Sequence, residues 1–340
     1  MDIQNKKRIS LAKALAPAAA GIVLLSLAAC GSSASADGAS QSAGQDGKSS
    51  IKVVVAPIQY ETAYIAQEQG YFKAEGLTVD LVRGADPAAN LAQVVSGQAD
   101  ITTGSWENVA TAISQGMPVK VISGNGVVDS KSDNSGILVS KNSNIKTVAD
   151  LKGKNVAVNG VKTGGDIPML QAAEAAGVDP KSINEVAIPY SGMQAALEQG
   201  TVDAAFPADA YYHQMVTAGF KTLSNPVREF QSNMPVTVWT TTQSWLDQNS
   251  GTAKKFNAAM AKASAFYADP ANVNDVVAIS AKVNQVDASK INPKNYVPVS
   301  VPINLTAGQA GIDAMQHLGF IPDKLTTDKI LWSGAPTSKG

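Results

Sequence analysis

The chain has 340 residues, 44% hydrophobic and 16% charged, enough apolar material for about two cored domains and too much for a disordered polymer. With 27 basic against 28 acidic residues the net charge is −1, which gives no sign of the clustered positive surface that nucleic acid requires. One cysteine, Cys30, and two histidines, His213 and His317, exclude an internal disulfide and a cysteine-based metal site and leave little for a histidine-dependent triad.

Lys6, Lys7, Arg8 and Lys13 lead into an apolar run from Ala14 to Ala29. That is the layout of a secretory signal peptide, and the run is short for the ~20 residues of a bilayer span. Leu27-Ala28-Ala29-Cys30 resembles the lipobox of bacterial lipoproteins. The resemblance implies loss of residues 1–29, lipidation of Cys30, and anchoring by more than one acyl chain. Residues 30–50, nearly all Gly, Ser, Ala, Gln and Asp, cannot bury enough apolar surface to order themselves and read as a flexible, lipid-anchored linker.

The body alternates strand and helix. Ile51–Ala56 is a β-branched run stopped by Pro57, Thr62–Gln69 a helix ended by Gly70, and Leu77–Val82 a second strand. Pro87–Ser96 is a helix closed by Gly97, Asp100–Thr103 a strand, Trp106–Ser114 a helix, and Pro118–Ser123 a strand. The pattern then restarts: strand Gly136–Ser140, a helical turn Val148–Leu151, strand Asn155–Val158, helix Gly165–Ala176, strand Glu185–Ile188, helix Met193–Gln199, strand Ala204–Phe206 and helix Asp209–Ala218. Val236–Thr241 is a further strand, followed by helices Thr252–Ala268, Val273–Val283 and Ala307–Leu318 and a loose tail. Such alternation predicts right-handed βαβ units on mainly parallel sheets.

One supersecondary unit occurs twice. Leu91 to Trp106 reads helix, Gly97-Gln98-Ala99-Asp100, strand, helix; Ala195 to Tyr211 reads helix, Gly200-Thr201-Val202-Asp203, strand, helix. The repeat points to two similar α/β lobes, 51–135 and 136–234, with 235–340 returning to cover the first.

In parallel α/β sheets ligands sit beyond the carboxyl ends of strands, where helix N-termini offer unpaired N–H groups and partial positive charge. Four junctions here are small and polar: Gln59-Tyr60-Glu61, Gly104-Ser105-Trp106, Lys162-Thr163-Gly164-Gly165-Asp166 and Pro207-Ala208-Asp209. All are expected to face one cleft. Ser105 and Thr163 read as hydroxyl donors to a ligand or as helix caps. Gly164 allows a close backbone approach or an ordinary turn. Trp106 is a ligand contact or a core aromatic, and Asp209 binds an amine or caps its helix. Tyr211 and Tyr212 line the cleft or pack between helices, Gln59, Tyr60 and Asn159 are polar or aromatic candidates, and His213 is a surface helix residue. Gly124-Asn125-Gly126 is only a fragment of a dinucleotide fingerprint, Gly153-Lys154 lacks the rest of a phosphate loop, and no Gly-x-Ser-x-Gly elbow occurs.

Ala66-Gln67-Glu68-Gln69-Gly70-Tyr71-Phe72-Lys73-Ala74-Glu75-Gly76-Leu77, Ser96-Gly97-Gln98-Ala99-Asp100, Val148-Ala149-Asp150-Leu151-Lys152-Gly153-Lys154-Asn155-Val156-Ala157-Val158 and Gly200-Thr201-Val202-Asp203-Ala204-Ala205 follow in order. Together they resemble the type II substrate-binding proteins of ABC importers, in the nitrate, sulfonate and taurine branch that also includes binders of the thiamine-precursor pyrimidine. The resemblance covers about Ile51 to Trp245. It implies a two-lobed periplasmic-binding-protein fold with a ligand cleft between the lobes, and capture of a small anionic or zwitterionic solute, a sulfonate or taurine first. It further implies no cofactor and no catalysis, delivery to an ABC permease and its ATPase, and a monomer held through Cys30 on the outer face of the bacterial cytoplasmic membrane or on the periplasmic side of a membrane. Asp209 aligns with a carboxylate of the family's Glu-Pro-Tyr/Phe motif, with Ala210 in place of the proline. An enzyme or a sensory lipoprotein on the same scaffold are the competing classes.

Overall fold

The computed structural model describes residues 48–56, 61–84, 87–129, 131, 133–161, 165–322 and 324–339. Cys30 and the leader, the linker up to residue 47, and Gln59, Tyr60, Thr163 and Gly164 lie outside the described residues. In chain order come β1 (Ser50–Val55), α1 (Glu61–Glu68), α2 (Tyr71–Ala74), β2 (Thr78–Arg83), α3 (Pro87–Val95), β3 (Ile101–Ser105), α4 (Trp106–Ser114) and β4 (Val119–Gly124). Next are β5 (Ile137–Val139), β6 (Asn155–Val158), α5 (Ile167–Ala175), β7 (Asn184–Ala187), α6 (Tyr190–Glu198), β8 (Ala204–Ala205), α7 (Asp209–Thr217), β9 (Lys221–Ser224) and α8 (Pro226–Phe230). Last come β10 (Thr237–Thr242), α9 (Gln243–Ala268), α10 (Val273–Asn284), β11 (Ile303–Asn304), α11 (Leu305–His317), α12 (Thr327–Ile330) and β12 (Thr337–Ser338).

Two five-stranded sheets result, ordered β2-β1-β3-β10-β4 and β7-β6-β8-β5-β9. Each is parallel except for one inserted strand, β10 in the first and β5 in the second. The reversed strand is in both cases the one on which the chain enters after crossing from the other sheet. Apart from that strand the two orders are equivalent, with β6, β7, β8 and β9 standing where β1, β2, β3 and β4 stand. Central strands are buried on both faces, as the unbroken Val53-Val54-Val55 run requires.

The repeated unit has a mechanical meaning in this topology. Gly97 (φ 75°) and Gly200 (φ 68°) take the left-handed conformation that ends α3 and α6. Three residues on, the Asp100 carboxylate accepts the Lys52 N–H at 2.9 Å, and the Asp203 carboxylate accepts the Asn155 N–H at 2.9 Å. Lys52 and Asn155 lie near the starts of the equivalent strands β1 and β6. Each Gly-x-x-Asp thus closes a helix and fastens the start of a neighbouring strand.

The helices cover both faces of both sheets. On the first sheet Trp239 meets Phe256 of α9 edge-on at 5.2 Å, and Phe256 stacks on Phe72 at 5.7 Å. The other face is packed by α4, α11 and the segment ending in Leu331. The helices α9 and α10 after β10 pack on the first sheet. Two expectations are corrected, and two elements had none. β9 and α8 carry no clear sequence signal, because β9 is an edge strand whose Lys221 and Thr222 are exposed. The α9 helix begins at Gln243, capped by Thr242, and kinks at Asn249 (φ −132°) before the expected start at Thr252. The tail is not loose: Ile330, Leu331 and Trp332 are buried, and the Trp332 N–H donates to Val121 of β4 at 2.9 Å.

Lys48, ahead of β1, is held at three points. Its ammonium pairs with Asp100 at 2.7 Å, its N–H donates to Asn249 Oδ1 at 2.9 Å, and its carbonyl accepts the Thr252 hydroxyl at 2.7 Å.

Candidate functional site

A cavity of about 290 Å³ lies at the carboxyl ends of β3, β6 and β8. From the first sheet come Ser105, Glu107, Asn108 and Thr237; from the second Asn159, Gly165, Tyr190, Phe206 and Asp209. The floor is the pair of segments that cross between the sheets. Residues 126–128 run antiparallel to 234–236: Val128 N–H donates to Met234 O at 3.1 Å, and Val236 N–H to Gly126 O at 2.9 Å. Gly126 is needed at this contact, because a Cβ there would fall 2.7 Å from the Thr237 hydroxyl that accepts the Gly126 N–H. The Gly124-Asn125-Gly126 stretch belongs to this crossing.

Three of the four expected junctions reach the cavity. Ser105 caps α4, its oxygen accepting the Asn108 N–H at 3.1 Å. Its neighbour Trp106 points the other way. Trp106 is fully buried, its indole N–H donates to the Gly308 carbonyl at 3.1 Å, and its ring packs against Gly308 and Gly311 of α11. Successive helical residues point about 100° apart, so a cap at the cavity sends the next side chain into the core. Asp209 heads α7 with φ 53°, an uncommon backbone for a residue other than glycine or asparagine, and its N–H donates to the Asn134 carbonyl at 2.6 Å. Asn159 and Gly165 also line the cavity. Tyr211 is 41% exposed and leans on Tyr190, ring centroids 6.2 Å apart, without lining the cavity. Tyr212 is buried and donates to Asp133 at 3.0 Å. His213 packs edge-on against Tyr212 at 5.3 Å with Nε2 enclosed, rather than standing out on the surface. The fourth junction ends in Glu61, which is buried at the head of α1 and accepts the Ser280 hydroxyl at 2.9 Å, away from the cavity.

Sequence reasoning weighed Glu107 only as a charge that disfavours a bare anion, and it did not name Ser135, Tyr190 or Gln231, which also line the cavity. Burial pushes the Glu107 carboxyl up to about 7 from its ordinary 4.5. Its own backbone N–H and the Ser105 hydroxyl oppose the rise, and the negative charge of Asp166 adds to it. Asp166 sits fully buried at the head of α5, on the second-sheet side. Burial, helped by the Asp209 charge, pushes the Tyr190 phenol up to about 12, so it stays a donor. Ser135 is 4% exposed and its hydroxyl has no hydrogen-bond partner among the described residues. Tyr190 opens a helix after β7 and was open to the same junction rule; Ser135 and Gln231 come from connections that only the folded chain brings together. Among the described lining residues two are carboxylates and none is lysine, arginine, histidine or cysteine. Among the described residues no group of three metal-ligating side chains gathers, and no helix is long and apolar enough to cross a membrane.

A family model described as NMT1/THI5 like matches residues 58–272. A putative thiamine biosynthesis protein of Haemophilus influenzae is 30% identical over 146 residues, 42% of this chain and 44% of that protein. A putative aliphatic sulfonates-binding protein of Escherichia coli is 39% identical over 83 residues, 24% of this chain and 26% of that one. The matches thus span less than half the length of either relative. Among solved structures, the periplasmic aliphatic sulphonate binding protein SsuA of Escherichia coli superposes with a TM-score of 0.70 at 19% identity, over 86% of this chain and 94% of that one. The desulfurization enzyme DSZB superposes with a TM-score of 0.59 at 14% identity, over 84% and 96%. At these identities the likeness establishes a shared fold, two sheets flanked by helices as in periplasmic binding proteins, and that fold carries both binders and an enzyme.

Proposed function

Because the chain belongs to the NMT1/THI5-like family, we propose that it is the solute-capturing component of an ABC importer. Two lobes, 51–135 with 235–340 and 136–234, close over a small molecule and present it to a permease driven by its ATPase. The protein works as a monomer outside the cytoplasmic membrane, held there by lipidated Cys30, and takes no cofactor. The observation that carries the reading is a single cavity walled by the strand ends of both sheets and floored by two antiparallel crossing segments, which can act as the hinge.

The lining narrows the solute class. The heads of α4, α5 and α7 reach the cavity and suit a sulfonate or carboxylate. Glu107 and Asp209 repel a bare anion such as nitrate and suit an ammonium group. A zwitterion of taurine's kind satisfies both, better than an alkanesulfonate without an amine. The second reading, an aminopyrimidine, is favoured by the buried phenol of Tyr190 beside a carboxylate, which can meet a flat donor-bearing ring.

A thermal-shift screen against taurine, alkanesulfonates, nitrate, sulfate and hydroxymethylpyrimidine tests the reading. A solute at a hundred times its Kd adds about 2.7 kcal/mol, a rise of several degrees. Mass spectrometry of the released solute should recover it unchanged; a converted product would favour an enzyme. Asp209→Ala should weaken amine-bearing solutes about tenfold or more and spare those without an amine. Equal loss for all solutes would count against that role.

A further inference from the structure

The floor of the cavity extends past the two crossing segments. Residues 297–299 lie antiparallel beside 126–127: the Val127 N–H donates to the Pro298 carbonyl at 2.9 Å, and Gly126 stands opposite Val299. On the other side Val127 stands opposite Pro235, which sets Val236 opposite Gly126. Directly opposite residues of an antiparallel pair share a face, and so do residues two apart along one strand. Val128, Val236, Val297 and Val299 therefore surround Gly126 on a single face. A Cβ on Gly126 would lie 3.7 Å from Val297 Cγ1, which fixes the side to which Val297 points. All four valines and Gly126 line the cavity. Val128 is buried, and the other three are half-buried. The alternate positions Asp129, Tyr296 and Pro298 border a second hollow instead, shared with Lys131, Asp133 and Lys294. The ribbon thus turns its valines to the cleft and sets polar groups behind it. Joining the sheets alone would require no such sidedness.

We propose that this valine face sets the specificity of the cavity: the solute carries, besides an ammonium and an anionic group, an apolar arm that lies on Gly126 among the four valines. This deepens the reading above and rests on it. The helix heads and carboxylates that suit a zwitterion belong to α4, α5 and α7, and none of them stands on the ribbon. Taurine has little hydrocarbon to lay there and would leave the valines facing water. Each methylene that leaves water for such a face raises affinity about fourfold. The missing side chain at Gly126 makes the depression that receives the arm. Thr237 bounds it on one side, its hydroxyl 2.7 Å from where that side chain would begin.

The test is calorimetry of the full chain with taurine and with taurine derivatives bearing a methyl, ethyl or propyl branch on the amine-bearing carbon, each as both enantiomers. The branch leaves the spacing of ammonium and sulfonate unchanged. For the better enantiomer, affinity should rise about fourfold with each added carbon. The heat-capacity change of binding should grow more negative along the same series. Val297→Thr and Val299→Thr keep the side-chain volume and set a hydroxyl against the arm. Each should weaken the propyl derivative about tenfold and change taurine by less than about twofold. Equal affinity for taurine and its branched derivatives, or the same loss for all of them in both variants, overturns the proposal and leaves the importer reading intact. Binding of hydroxymethylpyrimidine alone overturns it together with the zwitterion. If none of these compounds binds, the reading above falls as well.

Discussion

Burying the Glu107 side chain couples stability to pH in a direction opposite to that of most carboxylates. Its folded-state pKa lies above its ordinary value, so the folded protein binds the proton more tightly than the unfolded chain does. The stabilisation is complete below about pH 4.5 and is lost as pH rises through about 7. The difference is on the order of 3 kcal/mol. Melting of the empty protein against Glu107→Gln should show the variant's curve flatter over this window, and parallel curves would show that Glu107 ionises freely. The Ser135 hydroxyl makes a second prediction. Because it lacks a partner among the described residues, Ser135→Ala should change unfolding free energy by less than about 1 kcal/mol. If the hydroxyl meets the solute, the same change should weaken binding by about 0.5–1.5 kcal/mol. Paired measurements of Tm and Kd separate the two effects, and unchanged affinity would remove Ser135 from the site.

The repeated Gly-x-x-Asp elements predict an asymmetry. Asp203 fastens one strand N–H, whereas Asp100 also takes the Trp245 indole N–H at 2.7 Å and the Lys48 ammonium. Asp100→Ala should cost about 3 kcal/mol and Asp203→Ala about 1, read from denaturant midpoints. Equal costs would mean that the extra partners contribute nothing. These elements were legible from the sequence because glycine conformation and strand hydrophobicity are local properties. Val53-Val54-Val55 could be little else than a buried strand, and Gly97 and Gly200 could be little else than helix ends. β9 was illegible because its place is set by pairing with β5, while its own residues Lys221 and Thr222 face solvent. At the site, the junction rule found Ser105 and Asp209, yet it could not tell that Trp106 would turn into the core. That depends on α11 placing Gly308 where a Cβ would crowd the indole at 3.0 Å.

For the whole molecule, the mixed α/β pattern of two sheets flanked by helices was readable. The crossing segments were not, because residues 126–128 and 234–236 are about a hundred positions apart and carry no shared motif. They bring Ser135 and Gln231 to the cavity, which explains why both escaped notice. The fastening of Lys48 bears on the molecule as a mechanical object. The cavity opens at the carboxyl ends of the strands, and Lys48 precedes the amino end of β1, so the chain enters the body at the far edge of the first sheet. A pull on the preceding segment meets the Asp100, Asn249 and Thr252 fastenings first and then runs along the axis of β1. It loads the ladder of six register pairs with β2, and the pairs with β3, in shear, so the bonds share the force instead of opening one by one. Drag or thermal jostling on that side is thus taken up first along the strand pairs of the first sheet.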